Sequence, residues 1–262
     1  MANSKGFATL LSRGFATLLN RETKKFIKST KQTIVAPVIS SLLYIVVFGG
    51  FIGSQIPEVN GVSYMEFLIP GLIMMSVITN SYYNSAQSIL ISKFFNNLTE
   101  VLTAPLSYFE MVLALTLGGV MRGFVVGILT LLVSFLFIPI SIFNIFTLGY
   151  FMFFVSMIFS SVGVMMGLWA ETFDHLETFS SFVLTPLTFL GGVFYSINML
   201  PDLLKDLSIF NPLLFMINGM RYGIVGISDV NVLISMVLVF ILAAFLFCVN
   251  VWLFNSGYKI RT

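Results

Sequence analysis

The chain has 262 residues, of which 58% are hydrophobic and only 9% are charged, and its mean hydropathy is +1.00. Soluble domains carry roughly 25% charged residues, so this composition excludes a soluble domain and predicts an integral membrane protein. One cysteine and one histidine argue against a disulfide framework or a metal site built from these ligands. The net charge of +2 says little by itself, because the placement of charge decides membrane orientation.

The first 33 residues are predicted to form a cytoplasmic amphipathic leader. The hexapeptide GFATLL occurs at Gly6–Leu11 and again at Gly14–Leu19, and its apolar residues share one helical face. This pattern predicts a helix that lies along the inner membrane surface and leads into the first span. A duplication without functional weight explains the repeat equally well. The segment lacks the apolar core and cleavage site of a signal peptide, so we expect it in the mature chain.

Five uncharged intervals are each long enough to cross a bilayer, because about 20 residues at 1.5 Å per residue cover the hydrocarbon layer of roughly 30 Å. The third interval, Gly123–Ala170, is long enough for two crossings with a bend near Pro139 and Asn144. We therefore predict an all-α membrane domain of six transmembrane helices over residues 34–254, followed by a cytoplasmic tail over 255–262. The predicted spans are Ile34–Ile52, Phe67–Ser85, Leu113–Phe137, Ile145–Trp169, Phe179–Ser196 and Val232–Phe254.

The positions of lysine and arginine predict the orientation. Seven of these residues precede the first span, Lys93 follows the second, and Lys259 and Arg261 lie in the tail, whereas the opposite side carries Lys205 and Arg221. Cytoplasmic segments are enriched in lysine and arginine, so both termini are predicted to face the cytoplasm. The loop between spans four and five is acidic although it faces inward, but acidic residues count little in this rule.

The stretch FNNLTEVLTAPLSYFE, Phe95–Glu110, lies on the predicted cytoplasmic side between spans two and three. Its apolar residues can share one helical face, and Pro105 disfavours helix at the residue before it. The stretch therefore predicts a short surface helix. Such a helix either rests on the membrane interface or contacts a partner, and the pattern alone leaves both open.

The stretch Tyr195–Ile224 follows the fifth span and is too charged for another crossing yet too apolar for a free loop. Pro201 and Pro212 stand where two short helices would begin, and Asn211 is suited to cap the second. Irregular backbone at membrane depth is tolerated only against protein or a water-filled cavity. We therefore predict a re-entrant or interfacial hairpin at the outer face.

The sequence lacks the motifs of several enzyme classes. No Gly-Lys pair occurs, so the chain has no P-loop for a nucleotide, and the G-x-S-x-G and H-E-x-x-H signatures are also missing. We expect no ATP hydrolysis by this chain, no bound cofactor and no nucleic-acid partner.

Arg122 is the one charged residue inside the predicted spans. A bare cation at the bilayer centre costs about 2.5 to 3.5 kcal/mol, and less if its side chain reaches the interface. Arg122 therefore either extends to the cytoplasmic surface or contacts a transported substrate. Asn80 and Asn84 are further polar candidates for a pathway, and they also fit the inner end of a helix near the interface.

These features together resemble the permeases of type-2 ABC exporters, and in particular the small stand-alone bacterial ones. The likeness runs from Phe26 to the C-terminus and is most specific in NLTEVLTAP at Asn97–Pro105 and LTPLTFLGGVFYS at Leu184–Ser196, followed by NP at Asn211 and RYG at Arg221. The resemblance implies a multi-pass permease of the bacterial inner membrane that forms the translocation pathway of an ATP-driven exporter.

The resemblance also implies partners and site residues. A separate ABC ATPase subunit would bind ATP and magnesium, and a second permease copy would complete a homodimer in the membrane lipid. The segment after the second span would be the coupling helix that docks on the ATPase. Its expected contact residues are Phe94, Phe95, Asn97, Leu98, Glu100, Leu102 and Pro105. The expected outer hairpin residues are Pro201, Asp202, Asn211, Pro212 and Arg221, and the pathway candidates are Arg122, Asn80 and Asn84.

Two other hypotheses belong to different classes. An ATP-independent channel or secondary transporter would need polar or charged residues at membrane depth. An assembly or scaffold protein would need no pathway at all. The 29 phenylalanines and 14 methionines suit lipid contact and helix packing, and they would also suit an adaptable route for a lipid-like cargo.

Overall fold

The computed structural model describes residues 13–28, 35–53, 55–56, 58–97, 102–104, 106–139 and 141–259. This part of the chain is almost entirely helical, with a two-stranded antiparallel hairpin formed by β1 (Glu58–Val59) and β2 (Val62–Ser63). Two stretches have the wider π-helical geometry: Ile45–Ile52, which continues the second helix, and Ser180–Leu184, which joins the sixth helix to the seventh. A 3₁₀ turn covers Ile197–Met199. The helices are α1 (Arg13–Lys28), α2 (Ala36–Tyr44), α3 (Tyr64–Phe94), α4 (Tyr108–Ser134), α5 (Ile145–Trp169), α6 (Phe173–Phe179), α7 (Thr185–Leu190), α8 (Asp202–Ile209), α9 (Pro212–Val225) and α10 (Val232–Ser256).

The predicted spans correspond to helical segments. The fourth prediction, Ile145–Trp169, coincides with α5, and the sixth differs from α10 only at its end, Phe254 against Ser256. Among the described residues, three helices are long and apolar enough to cross a membrane, namely α4, α5 and α10. The all-α membrane class is thereby confirmed, while the count of six spans stays a prediction.

The long helix α3 runs through the centre of the bundle and packs on α4, α5 and α9. It begins at a capping box, in which Ser63 and Glu66 each satisfy the other's backbone amide. Its 31 residues extend over about 46 Å, more than the roughly 30 Å hydrocarbon layer. One end of the bundle, called the hairpin end, carries α8 and α9, and the other, called the basic end, carries Lys25, Lys93 and Lys259.

Small residues let the central helices approach closely. A Cβ atom on Gly123 of α4 would lie 2.7 Å from Ser156 Oγ of α5, and one on Gly163 of α5 would overlap the backbone oxygen of Tyr82 in α3. Helix α4 contains a G-x-x-x-G sequence at Gly119–Gly123, and both glycines lie against neighbouring helices, which is the packing role that this spacing predicts.

The fifth predicted span, Phe179–Ser196, is displaced relative to the structure. The helical path begins earlier, at Phe173, and ends at Leu190. Gly192 then takes a φ of +84°, a conformation that glycine adopts without steric cost, and the chain turns toward the hairpin end. The prediction from hydropathy extends to Ser196 because the residues that follow Gly192 are also mostly apolar.

The described part of the leader contacts protein. Phe15 and Leu18 of α1 are buried in a cluster with residues of α3, α4, α5 and α10. The apolar face that predicts contact with the membrane surface thus packs, over these residues, on the helical bundle. The first GFATLL copy, Gly6–Leu11, lies outside the described residues.

Candidate functional site

The basic end joins the last turns of three helices. The ammonium group of Lys93, in the last turn of α3, donates to the backbone oxygens of Leu168 and Ala170 at 2.8 Å each. Lys259, beyond α10, donates to the backbone oxygen of Trp169 at 3.2 Å. Both lysines therefore satisfy carbonyl groups that the C-terminus of α5 leaves without helical partners.

The predicted coupling segment begins at this end. Phe94 and Phe95 are 55% and 72% exposed, and Phe94 stacks on Phe173 of α6 with ring centroids 5.7 Å apart. Asn97 is exposed and Leu102 is half-buried. Three other predicted contact residues, Leu98, Glu100 and Pro105, lie outside the described residues. Sequence reasoning did not include Phe173, although it begins the short helix after the fourth span.

Helix α1 is attached beside this segment through a buried carboxylate. Glu22 is 1% exposed and accepts hydrogen bonds from the Ser88 hydroxyl of α3 and, at 2.8 Å, from the Lys25 ammonium group. Arg21 donates to the same carboxylate at 3.2 Å. Burial lowers the pKa of Lys25 below its ordinary value, and the charge of Glu22 opposes that shift. The Glu22 contact was not predicted from the sequence.

A polar cavity of about 480 Å³ lies between α2, α3, α4 and α6. Arg122 and Asn80, two of the predicted pathway residues, are brought together on its wall, and Arg122 Nη2 donates to Asn80 Oδ1 at 3.2 Å. Asn84 does not line this cavity; it lies toward the junction of α3, α4 and α1, where its amide nitrogen would be 3.6 Å from a Cβ on Gly118. The remaining polar side chains of the lining are Ser40, Ser41, Tyr44, Ser76, Thr79, Tyr83, Gln87 and Glu177.

At the hairpin end, two short helices are present where proline predicted them. Pro201, which precedes α8, and Asp202 are exposed, and Pro212 is the first residue of α9. Asn211 caps α9 by accepting the amide hydrogen of Leu213 at 3.0 Å, as predicted.

Arg221 of α9 is buried rather than exposed in a loop, with only 1% of its surface accessible. It donates to the backbone oxygen of Gly192 at 2.7 Å, and its guanidinium carbon lies 3.7 Å from the centre of the Phe67 ring. Its charge partner is Asp229, at 3.9 Å.

Asp229 is a functional candidate that sequence reasoning missed. Its carboxylate accepts hydrogen bonds from Asn60 at 2.7 Å, from Ser196 at 2.8 Å and from the backbone amide of Ile197 at 3.2 Å. It thereby joins the β-hairpin, the turn after α7, and α9. The sequence did offer one indication of its role: Asp229 is the last acidic residue of the chain and immediately precedes the final uncharged interval.

These features define a polytopic helical membrane protein that has a polar cavity and, over its whole sequence, no P-loop. Within the described ranges there is no group of three or more His, Cys, Asp and Glu residues placed to hold a metal. The profile of the ABC-2 type transporter family matches residues 13–225, and the chain belongs to this family. It is therefore a transmembrane transport permease of the ABC-2 type.

Individual relatives agree with the family match. The chain is 43% identical over 230 residues to the inner membrane transport permease YadH of Escherichia coli strain K12, a match that covers 87% of this chain and 90% of that protein. It is 23% identical over 230 residues to nodulation protein J of Rhizobium leguminosarum bv. viciae, which covers 84% of this chain and 86% of the relative. Nodulation protein J of Azorhizobium caulinodans is 24% identical over 191 residues, or 72% of this chain and 75% of that protein.

Proposed function

We propose that this chain is the permease subunit of an ATP-driven exporter in a bacterial inner membrane and that it works with a separate ABC ATPase. Its family supports this proposal, as does the printed name of the Escherichia coli relative. Because the sequence contains no Gly-Lys pair, ATP and magnesium would bind to the ATPase and not to this chain.

The exposed aromatic pair at the basic end carries the proposal. Phe94 and Phe95 present apolar surface directly after the last turn of α3, and the stack of Phe94 on Phe173 links that surface to α6. Exposed aromatic side chains are typical anchors of protein interfaces. Because α3 is one helix of 31 residues, a displacement at its end would reach both the polar cavity and the hairpin end.

A second copy of the chain would complete the pathway. Apolar side chains of α2 and its π-helical continuation are exposed beside the cavity, including Ile39, Leu43 and Val47. A homodimer would cover this face and enclose the cavity between two copies. In this arrangement the basic end and both termini face the cytoplasm, where the ATPase would bind.

The coupling segment is tested by reversing one charge in it. We expect Glu100→Lys to weaken binding of the purified permease to its ATPase by about tenfold, since loss of a charged contact costs on the order of 1.4 kcal/mol or more. Membrane insertion should be unchanged, because the residue lies between the predicted spans. Glu58→Lys, at the hairpin end, is the matched control and should bind normally. Equal binding of both variants, measured by co-purification and titration in mild detergent, would contradict the assignment.

The polar cavity also supports a second candidate, an ATP-independent channel or secondary transporter. Such a protein needs polar groups at membrane depth, and Arg122, Asn80 and Gln87 provide them. Reconstituted vesicles that hold the permease alone, or the permease with its ATPase, separate the two functions. The proposed exporter requires transport that depends on both the ATPase and ATP, whereas flux through the permease alone would favour the second candidate.

A further inference from the structure

We infer that the polar cavity binds the anionic headgroup of an amphipathic molecule and that Arg122 is its charge partner. This inference rests on the proposed transport function and specifies the chemical class of the cargo. The cavity volume of about 480 Å³ falls within the range of roughly 300 to 1,000 Å³ that is usual for small-molecule sites. Its wall combines a guanidinium group with hydroxyl and amide groups, which are the groups that recognise phosphate, sulfate and carboxylate.

Among the described residues, no carboxylate balances the charge of Arg122. Its one hydrogen bond goes to the neutral side chain of Asn80, and its buried Nε atom has no acceptor within the described part of the chain. No carboxylate among these residues lies within 4.0 Å of its guanidinium nitrogens. A bare cation at membrane depth costs about 2.5 to 3.5 kcal/mol, so a bound anion would stabilise it. Arginine is suited to this role because its planar group can bind two oxygens at once.

Arg221 provides an internal comparison. It is fully buried, whereas Arg122 is partly buried, and it has Asp229 at 3.9 Å and two backbone oxygens as partners. The fold therefore neutralises the buried Arg221 within the protein, while the partly buried Arg122 lines a cavity. This contrast separates an arginine that is neutralised within the protein from one whose charge a bound anion would balance.

Glu177 is the carboxylate on the cavity wall, and it limits what can bind. Its Oε2 atom accepts the Tyr83 hydroxyl hydrogen at 2.6 Å, and it does not pair with Arg122. A negative charge on this side would repel a second anionic group and would accept hydrogen bonds from hydroxyl groups. The cavity thus suits a headgroup that has one anionic group near Arg122 and hydroxyl groups near Glu177.

The amphipathic character of the ligand follows from the surface beside the cavity. The face of α2 that carries Ser41 and Tyr44 lines the cavity, whereas the adjoining face carries the exposed residues Ile39 and Leu43. A molecule with its headgroup in the cavity would have an apolar helix face next to it. An acyl chain is the part of a ligand that such a face would accommodate.

The test measures binding to the purified chain in dodecyl maltoside, without an ATPase. The probe is a twelve-carbon alkyl phosphate that carries a diazirine in its chain, and its attachment site is found by mass spectrometry after illumination. We expect saturable labelling of peptides from α2 or α3 that dodecyl phosphate prevents and that dodecyltrimethylammonium does not. Inorganic phosphate should compete only at far higher concentration. If inorganic phosphate competed at the same concentration as dodecyl phosphate, the site would bind a free anion, and the inference of an amphipathic ligand would be overturned.

Substitutions test whether Arg122 is the residue that binds the anionic group of the probe. Arg122→Gln should raise the half-saturating concentration of the probe about tenfold or more, while Arg122→Lys should raise it less, because a charge remains. Lys24→Gln removes an exposed cation from α1 and serves as the control. If Arg122→Gln does not fold, as judged by gel filtration, Asn80→Ala is the second variant, with an expected loss of severalfold. Equal affinity of these variants and the original chain, or labelling that never saturates, would overturn the inference.

This assay is independent of the ATPase, so its outcome separates the two proposals. Binding of the probe without any ATP-dependent transport would count against the exporter and not against the anion site. ATP-dependent transport by a chain that does not bind the probe would refute the anion site alone.

Discussion

At the scale of single residues, Asp229 and Arg221 form the main polar contact of the hairpin end. Both side chains are 1% exposed, and together they hold the β-hairpin, the turn after α7, and α9. Removing one member of a buried pair leaves the other charge without a partner, and this is the costly change.

We expect Asp229→Ala to lower the free energy of unfolding by roughly 3 to 5 kcal/mol, because Arg221 would remain buried without an anion. The measurement is the apparent melting temperature of the purified chain in detergent. Asp206→Ala is the matched control, since Asp206 is exposed on α8 and its loss should change the melting temperature little. A similar effect of the two substitutions would show that the Asp229 contacts do not stabilise the hairpin end.

Arg122 and Arg221 show how much the sequence could predict at this scale. Arg122 stood out because it interrupts an uncharged interval, and it does line a polar cavity. Arg221 was assigned to the outer hairpin without a partner, because composition cannot show that an arginine is folded against backbone oxygens. Asp229 was missed for the same reason, since its partners come from segments up to 169 residues away.

At the scale of elements, the close contact between α3 and α5 depends on glycine. We expect Gly163→Ala to destabilise the chain by roughly 1 to 3 kcal/mol, because its Cβ would meet the backbone of α3, which cannot move aside as a flexible side chain can. Gly149→Ala in the same helix is the control. A Cβ there meets nothing within 4 Å, and alanine favours helix. Melting temperatures in detergent check the pair, and equal values would contradict the packing role of Gly163.

The attachment of α1 to the bundle gives a second prediction at this scale. Glu22→Ala removes the acceptor of Ser88 and Lys25, which costs roughly 1.5 to 3 kcal/mol, so α1 should detach more often. In a Cys248→Ser background, a cysteine at the buried position Leu18 should then react about tenfold faster with a water-soluble maleimide. Glu22→Gln, which keeps an acceptor, is the comparison and should show a smaller increase. An unchanged rate in Glu22→Ala would mean that apolar contacts alone hold α1.

Helix starts were predicted correctly where an asparagine cap borders an uncharged interval, as at α5 and α10. The second and third spans were predicted to start at Phe67 and Leu113, whereas capping boxes start α3 and α4 earlier, at Tyr64 and Tyr108. The fourth span coincides with α5 because Asn144 caps its first turn. The fifth was displaced because its residues stay apolar after the backbone has turned at Gly192. Likewise, the π-helical stretches in the first and fifth spans depend on backbone geometry, which hydropathy does not report. Contacts of α1 with protein also escaped prediction, since an amphipathic face fits lipid and protein equally well.

At the scale of the whole molecule, the two ends of the bundle have different chemistry. The basic end carries Lys25, Lys93 and Lys259 together with the exposed Phe94 and Phe95. Acidic residues at the hairpin end include the buried Asp229 and the exposed Asp202 and Asp206. Helix α3 connects the two ends, so the proposed coupling segment and the contacts of Arg221 lie at opposite ends of one element.

This polarity predicts a fixed orientation, because basic segments stay in the cytoplasm. In a Cys248→Ser background, we expect Phe95→Cys to react with a membrane-impermeant maleimide only in inverted vesicles, and Met199→Cys only in right-side-out cells. Both positions are well exposed, at 72% and 53%, so a lack of reaction reports sidedness and not burial. Permeabilised cells are the control and should label both. Reaction of Phe95→Cys from outside would place the aromatic pair away from any cytoplasmic ATPase and would remove the physical basis of ATP-driven transport by this chain.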